Sequence, residues 1–179
     1  MGKYIRQLLF VLAAAALSFS AGAEDKSLLT TDSEAALQSL YKTTPGAQAL
    51  GDKAAGVLVF PKIVRAGFIV GGSGGEGVLF VKGKPNSYYS SGSGSVGLQA
   101  GAQSFAYAVF FMTQKELKDF QKSKGWDIGV APTVVVIDAG AGKDINTTTA
   151  SKGIYAFIFD QSGLMAGLAL QGQKISKIK

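Results

Sequence analysis

Short apolar runs separated by glycine make up most of the chain from residue 54 onward. Gly56–Phe60, Ala66–Val70 and Gly77–Val81 are the first three runs, and ten glycines lie between Gly71 and Gly101. Successive runs lie too close together for the helical crossovers that join parallel strands. The sequence therefore predicts a mainly antiparallel sheet.

The glycines also limit the shape of this sheet. Glycine inside a strand usually marks a bulge, a tight bend or a close approach of two backbones, and a small, sharply coiled sheet needs many such positions. A barrel and a sandwich both fit this pattern. Further strands are expected within the ranges Ser95–Met112, Val130–Asp138, Gly153–Asp160 and Leu164–Lys174.

Three short helices are predicted beside the sheet. Thr31 and Glu34 have the spacing of a capping box, and an apolar stripe follows them. Pro45 suits the first position of a second helix. A third helix is expected over residues 114–122, where Thr113 can cap the N-terminus. The predicted fold class is α+β, with short N-terminal helices followed by a glycine-rich, mainly antiparallel β barrel or sandwich and one further helix near 114–122.

The first 23 residues have the pattern of an export signal. Lys3 and Arg6 precede the apolar run Leu8–Leu17, and small residues occupy both positions of an A-x-A cleavage site at 21–23. The pattern predicts a signal peptide at 1–23 and a single domain at 24–179, exported to the periplasm as a soluble protein, with secretion beyond the periplasm left open. Removal of Lys3 and Arg6 changes 18 basic and 12 acidic residues to 16 and 12, a net charge of +4.

The sequence contains no cysteine and no histidine. It therefore cannot form a disulfide, a thiolate nucleophile, a lipidated cysteine or a Ser-His-Asp triad. Two G-x-G-x-x-G matches, at 72–77 and 92–97, are followed by strand-like sequence, whereas a dinucleotide site needs a helix there. Two S-x-x-K matches lack the companion motifs of penicillin-binding enzymes. We expect no catalytic residue, metal or cofactor, and an enzyme ranks below a binding module.

Several stretches, in a fixed order, resemble the SYLF family, a lipid-binding family of bacterial exported proteins and eukaryotic actin-associated proteins. The stretches are Ala55–Pro61, Arg65–Gly72, Gly75–Gly77, Ser93–Gln103, Ile154-Tyr155 and Gly163–Gly172. The resemblance implies a non-enzymatic module that binds lipid at a membrane surface. Eukaryotic relatives bind phosphoinositides through a basic N-terminal helix, whereas Glu24–Lys42 carries a net charge of −2 here. The resemblance therefore does not place the lipid site at this end of the chain.

Lysines near strand ends and in the C-terminal tail are the side chains expected to contact anionic headgroups, since each contributes about 1 kcal/mol near an anionic membrane. The candidates are Lys82, Lys84, Lys174, Lys177 and Lys179. The expected ligands are anionic phospholipids such as phosphatidylglycerol or cardiolipin. The alternative is an envelope structural or protein-interaction module that pairs with another protein, or with itself, through exposed sheet edges. Nucleic acid is not expected, because aromatic residues do not alternate with the lysines. The sequence leaves the oligomeric state open.

Overall fold

A computed structural model describes residues 26–67, 70–96, 101–123, 125–128, 134–138, 153–162, 170 and 172–178. The predicted signal peptide, Lys179 and most of the predicted strand Leu164–Lys174 lie outside these residues. In the described part of the chain, no helix combines the length and the apolar character needed to cross a membrane.

The first helix, α1, spans Lys26–Thr43 and begins earlier than predicted. Its buried face consists of Leu29, Ser33, Ala36 and Leu40. Leu29 extends the apolar face by one turn, so burial favours a longer helix. The capping box predicted at Thr31 is wrong, because Thr31 lies inside α1 and its hydroxyl donates to the Ser27 carbonyl at 3.1 Å.

The other two helices agree with the sequence prediction. Helix α2 spans Pro45–Gly51, and α3 spans Gln114–Lys122. Thr113 caps α3 by accepting a hydrogen bond from the Glu116 amide at 3.2 Å, and the Thr113 amide donates to the Glu116 carboxylate at 3.0 Å. The same carboxylate accepts a bond from the Gly153 amide at 3.0 Å. Glu116 therefore both caps α3 and links it to a distant part of the chain.

In the described part of the chain, eight strands form one sheet. They are β1 Gly56–Gly67, β2 Val70–Val81, β3 Lys84–Val96, β4 Gly101–Phe111, β5 Trp126–Asp127, β6 Val134–Asp138, β7 Ile154–Ser162 and β8 Lys174–Lys177. Their order is β5-β8-β3-β2-β1-β4-β7-β6. Neighbours are antiparallel except for the parallel pair β6 and β7. The predicted α+β class is confirmed, and the sheet curls into a half-barrel with β5 and β6 at its two ends.

The prediction that a strand ends at Gly71 and Gly72 is wrong, because β2 runs through both residues and on through Gly77. The predicted strand Ala66–Val70 is likewise divided between the end of β1 and the start of β2. Glycine is required at residue 77 because β1 approaches β2 closely there, next to the irregular register of β1 between Val59 and Val64. A Cβ atom at Gly77 would lie 2.6 Å from the Phe60 ring and closer still to the Val59 carbonyl oxygen.

Both faces of the sheet are buried, which explains the continuous apolar runs of the sequence. Along β4, side chains alternate between the face covered by α3 and the face covered by α1 and α2. The first face has Phe105, Tyr107, Val109 and Phe111, and the second has Ala106, Ala108 and Phe110, followed by Met112 just after the strand. We call these the α3 face and the α1 face. Leu117 and Phe120 of α3 pack on the first, and Leu29, Leu40 and Leu50 pack on the second.

Candidate anion-binding site

Lys82 and Lys84 lie at the turn between β2 and β3. Lys82 and Gly83 have φ angles of 52° and 71°, the left-handed backbone of a two-residue hairpin turn whose twist matches that of the strands. Both lysines are exposed. The turn therefore presents two of the predicted lysines to solvent at one end of the sheet.

Lys174 and Lys177 lie at the two ends of β8, and both are exposed. Lys174 is opposite Gly92 of β3 and Asp127 of β5, so a carboxylate faces it across the ladder. Lys177 is opposite Tyr89 of β3. Strand β8, which carries both lysines, therefore pairs with β3, the strand that begins at Lys84.

The predicted lysines do not form one compact cluster. Lys177 pairs with β3 five residues after Lys84, and Lys174 pairs eight residues after it. At about 3.4 Å per residue, these separations along the strand are about 17 Å and about 27 Å. Lys84 and Lys177 therefore flank one stretch of β3, whereas Lys174 lies beyond it, next to Asp127.

Two lysines that the sequence did not single out border the same stretch of β3. The Lys26 ammonium lies 5.3 Å from the centroid of the Tyr88 ring. Lys122 follows Gln121, whose amide donates to Asn86 at 3.2 Å. We call the four exposed lysines around this stretch the lysine rim: Lys26, Lys84, Lys122 and Lys177.

The rim lysines are not held in ion pairs within the part of the chain that the structure describes. The ion pair found there joins Lys115 and Asp119 at 2.7 Å on the exposed side of α3. Its hydrogen bond raises the pKa of Lys115 and lowers the pKa of Asp119. The rim ammonium groups are therefore available to an anionic partner.

Lys82 has a different environment from the rim. It lines a groove of about 600 Å³ between α1, α2 and the β2–β3 turn, together with Glu34 and Asp52. Burial, with a smaller contribution from Asp52, raises the pKa of Tyr41 in this groove to about 12. Two carboxylates near Lys82 offset its charge, so the groove itself is unfavourable for an anion.

A row of polar side chains crosses four strands on the α3 face, where the apolar core ends. Arg65 of β1 pairs with Gln103 of β4 and with Ser73 of β2, and Ser73 pairs with Ser93 of β3. Arg65 is on the same face as buried Ile63, two residues earlier. We call Gln103, Arg65, Ser73 and Ser93 the polar row. It combines a guanidinium with hydroxyl and amide groups.

Buried hydrogen bonds connect the polar row to the core. The Tyr107 hydroxyl donates to Ser91 at 2.7 Å, and Ser91 donates to the side-chain oxygen of Gln173 at 2.9 Å. The Gln173 amide nitrogen donates to Ser73 and Ser93, whose hydroxyls lie 2.7 Å apart. Burial raises the pKa of Tyr107, so its hydroxyl stays protonated. Sequence analysis did not identify this network, because its members come from β2, β3, β4 and the residue before β8.

Comparison with family models finds a match over the C-terminal part of the chain. The model of the Ysc84 family, described as "Las17-binding protein actin regulator", matches residues 92–179. No curated protein matches the sequence. The matched residues run from the middle of β3 through β8 and include Ser93, Tyr107 and Gln173 of the network above. Ysc84 and SYLF denote the same domain. Residues 92–179 therefore match the model of the SYLF family, in agreement with the resemblance seen in the sequence.

Proposed function

We propose that this protein is a non-enzymatic, SYLF-type lipid-binding protein of the periplasm that recognises anionic phospholipid headgroups at a membrane surface. The lysine rim is the observation that supports this function. Four ammonium groups from α1, β3, α3 and β8 border one stretch of β3 near its start. The predicted lysines Lys84 and Lys177 are two of them.

The rim suits a charged surface better than a single small ligand. Lys84 and the position opposite Lys177 are about 17 Å apart along β3, so the lysines are spread over an area instead of converging on one point. Each lysine near an anionic membrane contributes about 1 kcal/mol. Lys174 and Lys179 add positive charge on either side of Lys177 in the sequence, while Lys82 contributes less because of Glu34 and Asp52.

Co-sedimentation of the purified protein with vesicles tests the proposal. We expect pelleting with phosphatidylglycerol or cardiolipin vesicles and none with phosphatidylcholine vesicles. The double variant Lys84→Ala/Lys177→Ala should bind about thirty-fold more weakly, since two lysines contribute about 2 kcal/mol. The matched control is Lys42→Ala/Lys53→Ala, which removes the same charge from exposed positions away from the rim and should bind like the unmodified protein.

Salt separates this function from its alternative. Raising the salt from 0.1 M to 1 M shortens the Debye length from about 10 Å to about 3 Å, so binding through the rim should disappear. Absence of pelleting with every vesicle would refute lipid binding by this protein. The alternative, a protein-interaction module, is favoured by β6, which ends the described sheet with Val135 51% exposed. Pairing at that edge would persist at 1 M salt.

A further inference from the structure

We propose that the polar row, which is separate from the lysine rim, binds a phosphate-type oxyanion. Ser93 lies nine residues along β3 from Lys84, or about 30 Å. Arg65 supplies a permanent positive charge in a planar group suited to phosphate oxygens. Ser73 and Ser93 supply hydroxyl groups on neighbouring strands. The evidence for a ligand lies in the direction of the hydrogen bonds that end at these two serines.

The direction of the hydrogen bonds in the network is determined by a fully buried hydroxyl group, that of Tyr107. Tyr107 is 0% exposed, and a buried hydroxyl proton must reach an acceptor. Its proton goes to Ser91. Ser91 must then donate to the Gln173 oxygen, which orients the Gln173 amide nitrogen toward Ser73 and Ser93. Every donor in the network therefore points from the core toward the polar row.

Counting protons at the end of the network leaves one donor unused. Ser73 and Ser93 each accept a bond from Gln173, and one of the two hydroxyls donates to the other. The second hydroxyl proton has no acceptor among the described residues. Both serines are partly exposed, so a ligand can reach this proton. Solvent water, or a bound group that accepts hydrogen bonds in its place, can take this proton.

Arg65 selects a charged acceptor over a neutral one. It is the cross-strand partner of Ser73, and partners across an antiparallel pair have their Cβ atoms about 5 Å apart on one face. The Arg65 Nε atom is buried, although the residue as a whole is partly exposed. A guanidinium and a hydroxyl donor on adjacent strands match a tetrahedral oxyanion, either free phosphate or the phosphate of a lipid headgroup.

Titration of the purified protein with inorganic phosphate at constant ionic strength tests the site, with backbone amide NMR shifts as the measurement. We expect saturable shifts at the polar row. Arg65→Gln should weaken phosphate binding roughly 10- to 100-fold, the loss typical of a charged hydrogen-bonding group. Lys62→Gln is the matched control, because Lys62 is an exposed cation three residues earlier on β1, and it should not change the affinity.

Two further variants distinguish loss of the phosphate site from misfolding of the protein. Ser93→Ala removes one partly exposed hydroxyl and should weaken phosphate binding while the thermal melt stays cooperative. Arg65→Lys keeps the charge but loses the planar fork, so it should bind phosphate with an affinity between those of the unmodified protein and Arg65→Gln. Absence of saturation, or equal affinity in all folded variants, would overturn the proposal.

Competition with vesicles identifies the source of the phosphate. If inorganic phosphate at fixed ionic strength displaces the unmodified protein from phosphatidylglycerol vesicles but does not displace Arg65→Gln, a headgroup occupies the polar row. If phosphate saturates the polar row without affecting vesicle binding, the ligand is a free phosphate or a phosphorylated solute. Both results support the oxyanion site. Because Lys84→Ala/Lys177→Ala leaves the polar row intact, vesicle binding can fail while phosphate binding persists.

Discussion

Replacing Gly77 with alanine tests the geometry of the sheet at the point where β2 passes the bulge of β1. The added Cβ atom would lie 2.6 Å from the nearest carbon of the Phe60 ring. Carbon atoms pack best about 3.5 to 4.0 Å apart, so the ring or a strand must move by about 1 Å. The still nearer Val59 carbonyl oxygen belongs to a fully buried backbone, which has little freedom to move.

The expected cost follows from two opposing effects. Overpacking a well-packed core costs about 1 to 3 kcal/mol. Removing a glycine reduces the entropy of the unfolded chain and returns about 0.4 to 1 kcal/mol. The net loss should be near the upper part of this range, about 2 kcal/mol, because backbone atoms are involved. For a domain of this size, 1 kcal/mol shifts the Tm by about 2 to 4 °C, so Gly77→Ala should melt about 4 to 8 °C lower.

Thermal melts of Gly77→Ala and Gly94→Ala, followed by circular dichroism, provide the measurement and its control. No atom of the described residues lies within 4 Å of a Cβ built on Gly94, and Gly94 is exposed in β3. Gly94→Ala should therefore keep or slightly raise the Tm. Equal melting temperatures for the two variants would refute the conclusion that close approach, and not backbone freedom, requires glycine at residue 77.

Two further predictions concern the cap of α3 and the partly buried Tyr41. Thr113→Ala removes the cap of α3 and should lower the free energy of unfolding, measured with urea, by about 1 kcal/mol. The control Lys115→Ala breaks an exposed ion pair and should leave urea unfolding unchanged. Similar urea unfolding curves for both variants would contradict the role of the cap. The pKa of Tyr41 is about 12 in the folded protein and about 10 in the unfolded chain, so the contribution of Tyr41 to stability should be fully present below pH 10 and be lost as the pH rises from 10 to 12. Tyr41→Phe should make the Tm less sensitive to pH in this range, and an unchanged pH dependence would rule out Tyr41 as its source.

Elements governed by local sequence were predictable. Helix α3 has its cap, its acidic N3 residue and its apolar positions within ten residues, and the structure has the same bounds as the prediction. Pro45 marks the start of α2 for a similar reason. Helix α1 was predicted too short because the burial of Leu29 depends on the sheet beneath it, which no local signal reveals.

The positions of the strands and of the sites depend on the register of strand pairing, which local sequence patterns do not reveal. Gly77 looks like a strand boundary until Phe60 and Val59 are placed beside it. The lysine rim requires Lys177 to pair with Tyr89, 88 residues earlier. The sum of charges over Glu24–Lys42 was negative, yet Lys26 at the start of α1 meets the Tyr88 ring. A charge sum does not tell which end of a helix contacts the sheet.

The sheet order also shows how the two halves of the chain depend on each other. The family match covers residues 92–179, but β1 and β2 lie between β3 and β4 in the sheet. Without them, β3 and β4 would each lose a partner strand and expose unpaired backbone groups. The polar row is divided in the same way, since Ser93 lies in the matched region whereas Arg65 and Ser73 come from β1 and β2. Residues before the match therefore supply the centre of the sheet and the positive charge of the proposed oxyanion site.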